Sequence, residues 1–199
     1  MLYSFNPKAE NLDEKLEIGD KGMVNDTALV IIDVQNGVIN PAYRRDEVLE
    51  NISVLLRKAR ASHIPVIYVQ HDEPKGYELE VGTDNWQISP VIAPQEGEPI
   101  VHKRASDAFY ETSLKQELDQ RHIRHLVVVG GQTEYCVDTT VRRATTCGYE
   151  VTLVGDAHTT YDGNTLTAAQ IIAFHNETLN GFRTDTRAIL VKPTREIVF

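Results

Sequence analysis

The chain of 199 residues is short of basic charge, of cysteine and of long apolar runs, and each shortage excludes something. Its 20 Lys and Arg face 29 Asp and Glu, a formal net charge of -9. Nonspecific nucleic-acid binding needs a basic surface that displaces phosphate counterions, so this composition argues against it. The same sign argues against anionic membrane surfaces. No apolar stretch approaches the ~18 residues of a membrane-spanning helix. The first 22 residues, MLYSFNPKAENLDEKLEIGDKG, have no basic start followed by an apolar core, so no signal peptide is expected. The only cysteines, Cys136 and Cys147, fit neither a redox pair nor a zinc spacing. Reduced thiols in a cytoplasm are the expectation.

What is present is an ordinary globular composition, 41% hydrophobic and 25% charged, in a chain long enough to bury a real core. Residues 1–26 lack sustained periodicity. They read as an arm lying on the domain or on a partner subunit, or as partial disorder. From residue 27 to 199 one domain is expected. A short continuous apolar run at 28–33 reads as a strand buried on both faces, 64–70, 125–130, 150–155 and 188–191 read as further strands, and 99–103 as a weaker one. Helical spacing marks 46–63, 113–122, 134–147 and 164–180. Ser113 with Gln116 matches a capping box, and Gly148 is a helix terminator. Alternating strands and helices predict a parallel sheet covered on both faces. In such sheets ligands bind off the carboxyl ends of the strands. Asp33, His71, Lys103, the 130–136 loop and Asp156 all fall at such ends. The stretch 71–98 is a long loop, of the kind that is functional or disordered.

Cys136 follows a strand, the turn GGQTE, and then opens a helix. Unpaired N–H groups and the positive end of the helix dipole favour a thiolate there, and loop amides could face an oxyanion. Thr133 could cap that helix. The competing reading is a cysteine that simply packs. Asp33 ends an apolar strand, where a carboxylate must be hydrogen-bonded or reactive. Lys103 ends another, beside Arg104, and a plain solvated basic pair is its alternative. Together the three can deprotonate a thiol, offset the developing charge and attack a carbonyl. Cys147, near the helix end where the dipole opposes a thiolate, reads as packing.

The segments ALVIIDVQNGVI, VHKRASDAFYETSL and VVVGGQTEYCVDTTVRRATTCGYEVTLVGDAHTT resemble the isochorismatase-like cysteine hydrolases, the superfamily that includes nicotinamidases. The three motifs stand in that family's order and spacing over roughly 28–192. The resemblance implies a Rossmann-like α/β/α sandwich on a central, mostly parallel, six-stranded sheet. It implies an Asp33–Lys103–Cys136 triad, a cis peptide at Gly131–Gln132, and an oxyanion hole from the Gln132 and Cys136 amides. The implied chemistry is hydrolysis of a C–N bond through a thioester. Nicotinamidases carry an Asp-x-His metal motif. Here VQHDEPKG offers only adjacent His71 and Asp72, so neither a metal nor another cofactor is expected.

Four further residues are candidates for substrate contact. His71 sits at a strand end, where substrate or loop contact competes with a plain hydrogen-bonded polar residue without chemistry. Gln35, two residues past Asp33, has the face to hydrogen-bond near the triad if the strand continues, with solvent exposure as its alternative. Trp86 and Phe109 could line the pocket or plug a hydrophobic gap. His158 and Asp156 read as loop-ordering groups. The expected partner is a small amide, lactam or ureide, with a homo-oligomer, dimer favoured. The competing class is a non-catalytic module of the same fold that binds a small molecule. A redox-sensing thiol is weakened by the lack of a nearby resolving cysteine.

Overall fold

The computed structural model describes residues 26–199. The expected arm over 1–26 therefore lies outside the described residues except for Asp26. The strands are β1 Thr27–Ile32, β2 Val66–His71, β3 Ile100–Lys103, β4 His125–Gly131, β5 Glu150–Thr159 and β6 Ile189–Lys192. The helices are α1 Asn36–Ile39, α2 Arg45–Ala61, α3 Leu114–Gln120, α4 Asp138–Thr146 and α5 Ala168–Leu179. The six strands form one sheet in the order β3-β2-β1-β4-β5-β6, every neighbouring pair parallel. The order reverses between β1 and β4, so the crevice outside their carboxyl ends is the expected ligand site.

Burial explains why the strands read as unbroken apolar runs. Leu29 and Ile31 pack on one face with Leu49, Ile52 and Leu55 of α2. Val30 and Ile32 pack on the other with Leu114, Leu118 and Val141. A strand between two helical layers has no polar face to show. Cys147 packs against this second layer, as expected.

Two local expectations are corrected. β5 runs on to Thr159, so Asp156 and His158 belong to a strand and not to a following loop. Ser113 makes no side-chain cap. A complete capping box forms instead at Thr167 and Gln170, ahead of α5. The long 72–99 connection is tied down by backbone bonds from Asn36, Gly37 and Ser89 to Gln87, Asn85 and Val34.

Gly130 is required by the close approach of β4 to β1. Its φ is +126°, and a Cβ there would lie 2.0 Å from the Ile32 carbonyl oxygen. The β4–β5 register shifts between Val128 and Gly130. The sequence GG thus turns the chain at the strand tip, directly before the cysteine-bearing turn.

Candidate active site

Three strand tips converge on one ammonium. Asp33 follows β1 with φ +48°, a left-handed conformation that Asp tolerates better than most residues. Its own N–H still bonds Val69 of β2 at 2.9 Å. Lys103 ends β3 with its side chain fully buried. Its Nζ lies 2.6 Å from Asp33 Oδ2, 3.2 Å from Cys136 Sγ and 2.9 Å from His71 Nδ1. Burial opposes this charge, but Asp33 and Cys136 outweigh it and hold the Lys103 pKa above the ordinary lysine value.

Cys136 enters from β4. The chain passes a cis peptide at Gly131–Gln132. It then makes a π-helical turn over Thr133–Val137, in which the Val137 N–H reaches back to the Gln132 carbonyl at 3.1 Å. α4 continues this turn and ends before Gly148, whose φ is +94°. Thr133 does not cap it; its hydroxyl meets His158 Nδ1 at 2.8 Å.

Burial works against the thiolate that the helix end favours. Burial, with the Asp33 carboxylate beside it, pushes the Cys136 thiol up to about 12 against the pull of Lys103. Desolvation outweighs the helix end because the sulfur lies within the protein and shares its ammonium with a full carboxylate. Both effects favour the thiol over the thiolate at rest. Asp33 Oδ1 is buried with no hydrogen-bond partner among the described residues. A lone pair left without a partner next to a thiol is a proton acceptor in waiting.

Ligand atoms of Asp33, His71 and Cys136 lie within 4.8 Å of one another, a spacing that could suit a metal ion. The Lys103 ammonium already contacts all three, so a second cation would have to displace it. These residues do not fit a metal while Lys103 is in place.

A cavity of about 260 Å³ opens over this cluster. Asp33, His71, Gly131, Gln132 and Cys136 line it, with Val38, Glu73, Leu79, Ser106 and Tyr135. The family model of the isochorismatase domain matches residues 27–192, which takes in every one of these residues. The chain belongs to the isochorismatase family.

Several family relatives and solved structures align with it over most of its length. The secreted isochorismatase effector Isc1 of Verticillium dahliae is 33% identical over 151 residues, covering 74% of this chain and 80% of the relative. A streptothricin hydrolase of Streptomyces noursei is 34% identical over 138 residues, 68% of this chain but only 50% of that enzyme. The ureidoacrylate amidohydrolase RutB of Klebsiella pneumoniae is 25% identical over 201 residues, covering 81% and 84%. The crystal structure of a putative isochorismatase hydrolase from Oleispira antarctica superposes with TM-score 0.81 at 32% identity, covering 89% of this chain and 98% of that one. Among the described residues no helix is long and apolar enough to cross a membrane.

Of the four residues expected to touch substrate, this isochorismatase-family site brings only His71 into the cavity wall. Gln35 is fully buried behind it. Its amide bonds both the N–H and the carbonyl of His71, at 2.8 and 2.9 Å, and also the Trp86 carbonyl. Trp86 donates its Nε1–H to Asp72 Oδ1 at 2.7 Å and stacks on His102, which pins the long loop. Phe109 stacks on Tyr149 against the core. The wall residues missed were Val38, Glu73, Leu79, Ser106 and Tyr135. Ser106 and Tyr135 lie inside the motifs that carried the resemblance, within three residues of Lys103 and Cys136. Leu79 sits in the long connection and carried no signal.

Proposed function

We propose that this protein is a cysteine-dependent amidohydrolase that cleaves a C–N bond in a small amide, lactam or ureide. The observation that carries the reading is the single ammonium of Lys103, shared by Asp33 and the Cys136 sulfur at the floor of a cavity. The hydrolases among its relatives, RutB by its name an amidohydrolase, support the reaction class.

Because the resting sulfur is protonated, deprotonation is coupled to attack. Asp33 takes the Cys136 proton as the sulfur bonds the substrate carbonyl carbon. The C=O electron pair moves onto oxygen, and the Gln132 and Cys136 N–H groups form the hole that receives it. No acceptor among the described residues takes the Gln132 N–H, which suits that role. Lys103 holds the neighbouring charges in register while the proton moves. The C–N bond then breaks, and protonated Asp33 returns its proton to the departing nitrogen. Water attacks the thioester, yielding a proton to Asp33. The acid leaves, and Cys136 regains its proton. No cofactor enters these steps.

A panel of primary amides, lactams and ureides screened by product formation tests the reading. Cys136→Ser should lower kcat/KM on any responsive compound by about 10⁴-fold or more, with the circular dichroism spectrum unchanged. A Cys136→Ser protein with wild-type turnover overturns it. The second reading is a small-molecule-binding module of the same fold, in which the buried Cys136 thiol would stay protonated and unreactive. Saturable binding of a panel compound with no product from the wild type selects that reading.

A further inference from the structure

Lysine ammonium groups carry three N–H donors and no acceptor. In this site two of the three have an evident purpose, on Asp33 and on Cys136. The third goes to His71 Nδ1 at 2.9 Å, and no step of the reaction above uses that contact. We propose that His71 is a positioning residue whose Nδ1 completes the coordination of the Lys103 ammonium, and whose Nε2–H is thereby presented to an acceptor on the substrate. The proposal rests on the cysteine amidohydrolase reading for its effect on catalysis; the hydrogen bond itself stands apart from it.

The argument begins with register. His71 and Lys103 are direct partners across the parallel β2–β3 pair, so their side chains leave the sheet side by side. The His71 backbone is held on both sides by the buried Gln35 amide, through its N–H at 2.8 Å and its carbonyl at 2.9 Å. Such a clamp leaves little freedom to the ring's base. The chemistry then fixes the tautomer. An ammonium can only donate, so Nδ1 must accept, and the neutral ring must carry its proton on Nε2. Among the described residues Nε2 meets no partner, and His71 lines the cavity that holds Cys136.

Removing this acceptor would leave one N–H of a buried cation unmet. The ammonium would then be free to turn away from the sulfur or the carboxylate, and the triad would lose its register. Protonating His71 would do worse, by setting one cation against another. The groups acting on the ring are Lys103, Asp33, Glu73 and Asp72, with the Cys136 thiol at its side. Burial and Lys103 lower its pKa, the three carboxylates raise it, and the net direction is down. The resting ring is therefore neutral at physiological pH, as the hydrogen bond demands.

Two arms test this. In the first, long-range ¹H–¹⁵N spectra of the wild type read the ring directly. The expected result is an Nε2–H tautomer at neutral pH that protonates below the usual histidine range. In Lys103→Met the ring should titrate at higher pH than in the wild type. An Nδ1–H tautomer in the wild type overturns the proposal, whether or not the Met variant folds. In the second arm, p-nitrophenyl acetate serves as an acylating probe, with p-nitrophenolate release followed in the first turnover. Asn places an oxygen at the same bond distance from Cα as Nδ1. His71→Leu should fall about 10- to 100-fold, the loss expected for one hydrogen bond to a charged group, and His71→Asn, which keeps the acceptor for Lys103 but loses the Nε2–H, should fall less than His71→Leu does. A His71→Leu protein acylated at the wild-type rate overturns the positioning role. A wild type that never acylates counts against the amidohydrolase reading, and the spectroscopic arm then decides the contact alone.

Discussion

Two polar clusters flank the turn that carries Cys136, and they are built on opposite plans. On the β1–β2–β3 side, Asp33, His71 and Lys103 gather charge around one ammonium and leave Asp33 Oδ1 without a partner. On the β5 side, fully buried His158 bridges Thr133 Oγ1 and Asn176 Oδ1, each at 2.8 Å, and both ring nitrogens are used. The Thr133 that it holds is the first residue of the cysteine's own turn. A completed neutral network rigidifies. A charged network with one orphaned oxygen keeps a site for a proton. The comparison separates two sides of one turn: the Thr133–His158–Asn176 chain has a partner for each of its polar atoms, while beside the thiol Asp33 Oδ1 has none among the described residues, and neither has Glu134 Oε2 of the turn itself.

Breaking the charged side should have the largest effect. Lys103→Met leaves Asp33 as an unpaired buried carboxylate, which costs about 3–5 kcal/mol of stability in urea unfolding. It should also lower kcat/KM by about 10²–10³-fold, as expected for loss of a placed electrostatic group. Equal activity in this variant would remove the distinction between the two sides.

The neutral side should respond to pH. Burial pushes His158 down to about 4, while an unfolded histidine titrates near 6.5. Between those values the unfolded chain binds the proton and the native one does not, so the unfolded state gains as pH falls. The stabilisation is complete above about pH 6.5 and is lost as pH drops toward 4, on the order of 3 kcal/mol in all. Urea unfolding at pH 7.5 and 4.5 should show this component in the wild type and lack it in His158→Gln.

The smallest effect sharpens the contrast. At neutral pH, His158→Leu strands two buried polar groups and should cost about 1–3 kcal/mol, with kcat/KM changed less than about tenfold. A collapse of activity at unchanged stability would assign His158 to the chemistry and dissolve the comparison.

Strands β1, β2, β4 and β5 were legible because they are largely buried on both faces and therefore read as apolar runs, whereas the edge strands β3 and β6 leave Ile100, His102 and Leu190 exposed. Asp33 and Lys103 stood out for a related reason: each directly follows or ends a strand, where an ionisable group must have a partner, while Cys136, five residues beyond β4, stood out by the turn and helix start that carry it. The resting state of the sulfur was not legible, because helix position announces a dipole while burial depends on what packs around the sulfur. Gln35 was legible only in part. Its face was foreseeable, but its use on the His71 backbone depends on how β2 and the long connection close over it. The His71–Lys103 contact is set by the β2–β3 register, and two residues 32 positions apart do not declare that they are cross-strand partners. Trp86 and Phe109 show the limit for aromatics. Each is spent on another ring, and only tertiary packing chooses that ring over a substrate.

The most direct test of the central claim is rapid-quench intact-mass analysis of the wild type and Asp33→Asn with an amide that the protein turns over. The account predicts one acyl group per wild-type chain, located on the Cys136 peptide and formed before free acid appears, with its formation slowed by orders of magnitude in Asp33→Asn. Steady turnover with no adduct on Cys136, or an adduct that forms equally fast without the Asp33 carboxylate, would contradict it.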